Sequence, residues 1–236
     1  MFRRSMTHYI PGPAGRLEAL VDNPAALCTT AGSGSAALPS AGSATRPVTA
    51  AVVLAHPHPL YGGTMHTKVV FRAAKAFCRL GCAVLRFNFR GVGVSDGAFA
   101  EGVGELDDFR AALDFMATRY PGTALWAAGV SFGSWVAMTA GARDDRVTTL
   151  ISIALPSKLF DFSTVKESTK PKYLIHGERD ELCPLRDVWE FYGGAAEPKE
   201  LVVIDGADHL FDGHLSEVAD AIEDLLSHRH LPAPRS

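Results

Sequence analysis

Trp126-Ala127-Ala128-Gly129-Val130-Ser131-Phe132-Gly133-Ser134 is the stretch whose reading decides the fold. Its centre is a G-x-S-x-G pentapeptide. Residues 124–128 ahead of it form a short apolar run, and residues 134–140 behind it have the small and apolar content of a buried helix. Strand, sharp turn and helix is the context that gives the pattern meaning. The turn holds the central serine in a strained backbone conformation, with Oγ projecting beyond the top of a sheet. Glycines stand two before and two after because a side chain there collides with the neighbouring strand or helix. In a chain with 22 glycines the pentapeptide alone is a weak signal, so its meaning turns on which groups stand at the ends of later strands.

Working outward, Ala50-Ala51-Val52-Val53-Leu54-Ala55 is a continuous apolar run, as expected of a strand covered on both faces. Val70, Ala74, Phe77 and Leu80 are spaced as one face of a helix, closed by Gly81. Further strands are expected at 83–87, 147–155, 172–176 and 201–204. Leu106, Phe109, Leu113 and Met116 mark a helix ending before Pro121, and residues 184–192 mark another. Leu215, Val218, Ile222, Leu225 and Leu226 mark a closing helix. Residues 8–10 and 16–21 read as a hairpin around Pro11-Gly12-Pro13, its second arm alternating like an edge strand with one wet face. The pattern predicts an α/β protein: a mainly parallel, twisted sheet of about eight strands with helices on both faces. One domain over 1–236 is the simplest organisation, with a flexible insertion at about 23–47, where Ala, Gly, Ser, Thr and Pro dominate and no charge occurs up to Thr45.

Composition narrows the function classes. Apolar content of 47% and charged content of 21% are those of a soluble globular chain, and a net charge of −3 gives no electrostatic reason to expect nucleic acid or an anionic membrane as partner. No apolar stretch follows Arg3-Arg4, and no window approaches a membrane span, so neither a signal peptide nor a membrane anchor is expected. Cys28, Cys78, Cys82 and Cys183 form no C-x-x-C and are expected to be reduced, which makes a cytoplasmic location the default.

In an open parallel sheet, reactive groups gather in the loops beyond the C-terminal strand ends. Those loops contain His56-Pro57-His58-Pro59-Leu60-Tyr61-Gly62-Gly63, Arg90-Gly91-Val92-Gly93-Val94-Ser95, Ser131, His176-Gly177-Glu178-Arg179-Asp180 and Asp205-Gly206-Ala207-Asp208-His209. A nucleophile, an acid and a histidine therefore occur in the chain order Ser, Asp, His, the order that G-x-S-x-G enzymes use. From about Val48 to about Leu226 the chain resembles the α/β-hydrolase superfamily, in particular small lidless bacterial serine hydrolases with an H-P-H-P-x-x-G-G loop. The resemblance implies Ser131 as nucleophile, Asp180 as acid and His209 as base, with the R-G-x-G-x-S turn structural. It also implies no cofactor.

The chemistry supports the same assignment. A serine hydroxyl needs an imidazole to take its proton, and the imidazole needs a carboxylate on its other nitrogen. Asp205, Asp208 and Asp212 compete with Asp180, but Asp208 adjoins His209 in sequence, and adjacent residues seldom have the geometry to orient the ring. His214 is the rival base, five residues on. The oxyanion needs fixed donors. One is the Phe132 N–H. The other comes from the 56–63 loop, where Pro57 and Pro59 have none to give, leaving His58 first and Tyr61 as alternative. Glu178 and Glu181 read as solvated, and Asp107-Asp108 as the dipole-complementing start of a helix. Trp135 reads as packing under the elbow. Tyr61, Phe99 and Phe132 are candidate pocket walls. His56, His58 and His66 lack the paired acids or thiols of a metal site, so no metal is expected. His228 and His230 read as tail residues.

About 16 residues separate Leu155 from Lys172, too few for a cap domain, so an open cleft is expected. These features point to an acyl-enzyme-forming serine hydrolase, foremost a carboxylesterase on small-molecule esters. Thioesters, lactones and peptides are alternatives for the same triad, and a non-catalytic binding module is the alternative of another class. The sequence does not specify the oligomeric state.

Overall fold

The computed structural model describes residues 7–24 and 48–227. Eight strands form one sheet: β1 (Thr7–Gly12), β2 (Gly15–Asp22), β3 (Ala51–Ala55), β4 (Ala83–Phe87), β5 (Leu125–Val130), β6 (Val147–Ile153), β7 (Lys172–Gly177) and β8 (Lys199–Ile204). Their spatial order is β1-β2-β4-β3-β5-β6-β7-β8. β1 pairs with β2, and β2 with β4, in antiparallel fashion, while the other pairs are parallel. The expected α/β architecture is therefore present, and β5, which leads to Ser131, lies mid-sheet between β3 and β6.

Every residue of β3, β4, β5 and β7 is buried, which explains why these segments are apolar without alternation. Successive side chains nevertheless divide between two cores. Val53, Leu85 and Ala127 face α2 (Val103–Arg119), α3 (Phe132–Ala142), α4 (Ser163–Glu167) and α5 (Leu185–Gly194). Val52, Leu54, Val84 and Ala128 face α1 (Lys68–Arg79) and α6 (Leu215–Ser227). The chain between β6 and β7 holds only the five-residue α4, so among the described residues no cap domain covers the strand ends. Among the described residues no helix is long and apolar enough to cross a membrane.

Three expectations need correction. The alternating arm, β2, is not the sheet edge, because β1 lies outside it and β4 pairs with its other side; its half-wet pattern comes from one uncovered face. Asp107 and Asp108 do not open a helix, since α2 begins at Val103. Its start is held by Glu105, which accepts from the N–H groups of Gly102 (2.7 Å) and Ala100 (2.9 Å). Asp108 is instead fully buried and forks onto Arg90, at 2.7 Å from Nη2 and 3.0 Å from Nε. The third concerns strand length: β6 ends at Ile153, two residues before the expected end.

The expected insertion lies, over residues 25–47, outside the described residues, as do Cys28, His228 and His230. Its flanks are placed. Asp22 pairs with Val84, and Thr49 donates to the Gly81 carbonyl, so both flanks sit at the edge where the parallel strands begin. That edge is opposite the one carrying Ser131. Cys78, Cys82 and Cys183 are buried free thiols.

Removing one partner of the Arg90–Asp108 pair leaves a guanidinium half-enclosed without its carboxylate. Asp108→Ala is expected to lower the unfolding free energy by about 3–5 kcal/mol. Urea denaturation checks this, and an unchanged midpoint would mean that solvent already compensates Arg90.

Candidate active site

The elbow is built by close backbone approach. Ser131 has φ 53° and ψ −123°, a left-handed conformation that non-glycine residues rarely adopt. A Cβ on Gly129 would stand 2.1 Å from the Gly133 carbonyl oxygen, and one on Gly133 would stand 2.3 Å from that of His56. Both glycines are therefore sterically required. The turn is tied down by Ser131 N–H to the Ile153 carbonyl (2.8 Å) and by Ser134 N–H and Oγ–H to the Ser131 carbonyl (2.8 Å each).

Ser131, His209 and Asp180 form one hydrogen-bonded chain. His209 Nε2 lies 2.8 Å from Ser131 Oγ, and His209 Nδ1 lies 2.7 Å from Asp180 Oδ2. A neutral ring serves both contacts with its proton on Nδ1, donating to the carboxylate and presenting Nε2 to the hydroxyl. The Asp180 side chain is fully enclosed, and its other oxygen accepts from the N–H groups of Leu182 (3.0 Å) and Cys183 (2.8 Å).

The rival residues have other employment. Asp208 Oδ1 accepts from Leu210 and Asp212 N–H and so closes the turn around His209. Asp212 reaches toward Lys68 (3.9 Å). His214 pairs with Glu217 at 3.3 Å. Glu178 is exposed yet accepts from Gly206 N–H at 2.8 Å, bracing one acid-bearing loop against the other. Glu181 is exposed.

The 56–63 loop explains its own unusual sequence. His56 is completely buried. Its Nδ1 lies 2.6 Å from the Pro57 carbonyl, while its Nε2 accepts from Phe89 N–H at 3.1 Å. His58 Nδ1 accepts from Leu60 N–H at 3.2 Å, capping the 3-10 turn Pro59–Tyr61. Gly62 takes φ 79°, and a Cβ on Gly63 would stand 2.2 Å from the Pro57 carbonyl oxygen. Tyr61 N–H is already bonded to the His58 carbonyl (3.1 Å), whereas no backbone bond of this turn uses the His58 N–H. The Phe132 N–H opens α3, where first-turn donors lack intrahelical partners.

The aromatic residues form a cluster beside the serine. The His58 ring lies 4.8–5.0 Å from those of Tyr61, Phe99 and Phe132. Tyr61 is 87% exposed and Phe99 half-buried, but the Phe132 side chain is core at 1% exposure, so it backs the cluster instead of walling a cleft. Trp135, expected beneath the elbow, packs on Phe132 and stacks on Phe160 at 4.6 Å. A cleft of about 510 Å³ lies away from Ser131, among Arg110, Asp114, Arg143 and Arg146.

One supporting residue is not evident from the sequence. His176 is buried in β7, accepts from Leu155 N–H at Nδ1 (3.2 Å), and places Nε2 2.7 Å from the Cys183 carbonyl and 3.4 Å from Asp180 Oδ2. Its H-G-x-x-D spacing is the available signal, but that pattern points first to its acid. Burial holds the His176 imidazole below its ordinary range, with the Cys183 carbonyl and Asp180 opposing. Burial likewise pushes His56 down to about 4. Both rings are thus neutral supports.

Comparison with known proteins gives a consistent family. Residues 46–156 match the family model described as serine aminopeptidase, S33. An uncharacterized protein of Rickettsia prowazekii is 36% identical over 192 residues, covering 78% of this chain and 81% of that one. An alpha-beta serine hydrolase homologue from Coxiella burnetii superposes with TM-score 0.82 at 33% identity, covering 96% of this chain and 98% of that one. A Xanthomonas campestris protein, described as an a/b serine hydrolase without lid, gives TM-score 0.82 at 33% identity, covering 99% and 98%.

The buried histidines set a pH dependence of stability. A ring whose folded pKa is depressed stays neutral in the native state while the unfolded chain takes up its proton near pH 6.5. Stability is therefore full above that point and falls as pH drops toward about 4, where native His56 titrates. His56→Gln is expected to flatten the pH dependence between these limits by up to about 1.4 kcal/mol per pH unit. Urea unfolding at several pH values measures it; parallel curves for the two proteins would remove His56 as the source.

Proposed function

The chain belongs to the α/β serine hydrolases, and on that premise we propose that it is a carboxylesterase acting on small, uncharged esters through an acyl-enzyme. The observation that carries this reading is the unbroken chain from Asp180 through His209 to Ser131, at 2.7 and 2.8 Å. Ser131 Oγ attacks the carbonyl carbon as its proton passes to His209 Nε2. The imidazolium so formed keeps its Nδ1–H on the Asp180 carboxylate, whose charge stabilises it. The oxyanion is received by the N–H groups of Phe132 and His58; Tyr61 is set aside as donor because its N–H closes the turn. His209 then protonates the leaving alcohol, and a water activated by the same ring releases the acid.

Leu60, Tyr61, Leu159, Leu182 and Leu210 on the loops, and Val103 at the start of α2, are exposed, and among the described residues no cap covers them. An apolar rim suits an uncharged ester. Peptide hydrolysis is the second reading, since the matched family model is that of a serine aminopeptidase. The same triad serves either bond, and a substrate panel separates them.

A fluorophosphonate probe is expected to label the protein, and Ser131→Ala to abolish labelling. His209→Ala is expected to lower kcat by at least about 10³-fold. Near-normal turnover in that variant would remove His209 as the base. p-Nitrophenyl esters of increasing chain length, run beside aminoacyl p-nitroanilides, test the substrate class. Turnover of the anilides alone would overturn the esterase reading in favour of the peptidase.

A further inference from the structure

Cys183 takes no part in the chemistry above, yet its thiol adjoins it. One donor atom each from Asp180, Cys183 and His209 lies within 4.8 Å of the other two. A tetrahedral Zn²⁺ holds sulfur at about 2.3 Å and nitrogen or oxygen at about 2.0–2.2 Å, which separates ligand atoms by roughly 3.3–3.6 Å. Closing the thiol inward and parting the Asp180–His209 contact therefore takes movements of about 1 Å. We propose that Asp180, Cys183 and His209 form an inhibitory site for a thiophilic divalent cation of the Zn²⁺ or Cd²⁺ type.

Charge balance favours such a cation. Burial, with Asp180 and Asp187 adding to it, pushes the Cys183 thiol up to about 12, so the cation has to displace a proton that the free protein keeps at neutral pH. On binding, the metal replaces the thiol proton, which leaves to solvent, and takes the His209 Nδ1 position, so the ring proton moves to Nε2. Thiolate and carboxylate together neutralise the two positive charges, which removes most of the cost of placing an ion in an enclosed site. The His209 edge, 14% exposed, is the way in. A hard cation such as Mg²⁺ gains nothing from sulfur and prefers its own water.

The consequence follows from the tautomer. With the metal on Nδ1 and the proton on Nε2, the ring presents a donor to Ser131 Oγ and can no longer accept its proton. The serine stays in place and the base is lost. Inhibition rests on the mechanism proposed above, whereas metal binding rests only on the three side chains.

The experiment titrates the full chain with Cd²⁺, reading cadmium–thiolate charge-transfer absorption and ester turnover in parallel. The unaltered protein and Ser131→Ala are expected to develop the absorption, and turnover of the former to fall and return on adding a chelator. Cys183→Ala keeps the backbone donors to Asp180. Relative to its own metal-free rate, it is expected to need at least about tenfold more Cd²⁺ for half inhibition and to lose the absorption. Cys183→Ser replaces it if the alanine variant does not fold. Equal absorption or equal sensitivity with and without the Cys183 thiol overturns the proposal. If no ester is turned over, the absorption arm still decides whether the cation binds, separately from the fate of the esterase reading.

Discussion

The contact between Gly133 and the His56 carbonyl is the constraint on which the site depends. With only 2.3 Å available to a Cβ there, the start of α3 and the end of β3 are dovetailed backbone to backbone. That dovetail brings the Phe132 N–H and the loop carrying His58 to one side of Ser131. The same crowding, together with the Gly129–Gly133 approach, forces Ser131 to φ 53°. The strain is borne by the hydrogen bonds from Ser131 to Ile153 and from Ser134 to Ser131. The position of Ser131 and the positions of the Phe132 N–H and His58 are thus consequences of one packing event.

The remaining groups arrive by strand order. β5 sits mid-sheet, with β6, β7 and β8 following outward on one side, so their C-terminal loops lie in a row beside the elbow. Asp180 follows β7 and His209 follows β8, which turns a separation of 78 residues between Ser131 and His209 into a 2.8 Å contact. On the other side β3 supplies the 56–63 loop and β4 the Arg90 turn. The Arg90–Asp108 pair secures that turn to α2, and Phe89 N–H to His56 secures it to the 56–63 loop. Polar bonds fasten these loops to their neighbours, so among the described residues the site is positioned without a cap.

This division explains what the sequence made legible. The glycines flanking Ser131, the H-G-x-x-D and G-x-D-H loops and the continuous apolar strands are local patterns whose meaning does not depend on what lies opposite them. Asp108, His176 and the edge position of β1 do depend on it. Asp108 looks like a first-turn carboxylate until Arg90 is known to face it, and His176 looks like part of an acid loop until Leu155 and Cys183 close on both its nitrogens. β2 resembles an edge strand because one of its faces is wet, although both of its edges are paired. Phe132 reads from its place beside the serine as a wall, but its burial is set by Phe89, Phe99, Trp135 and Phe160, which converge from several segments.

His56, His176 and His209 lie near this edge, and their surroundings assign them different work. His56 and His176 are wholly buried, and each has both ring nitrogens engaged by backbone groups. Protonating either would place a charge in apolar surroundings and break the bond at its accepting nitrogen, so both act as neutral struts. His209 differs on both counts. Its Nε2 meets a hydroxyl, which can surrender a proton, and its Nδ1 meets a carboxylate, which compensates the charge that arrives. That carboxylate is itself fixed by two backbone N–H groups from the Leu182–Cys183 turn, and His176 fastens the same turn from beneath through the Cys183 carbonyl. A strut histidine therefore orients the acid that orients His209, and the three rings differ in what their nitrogens meet.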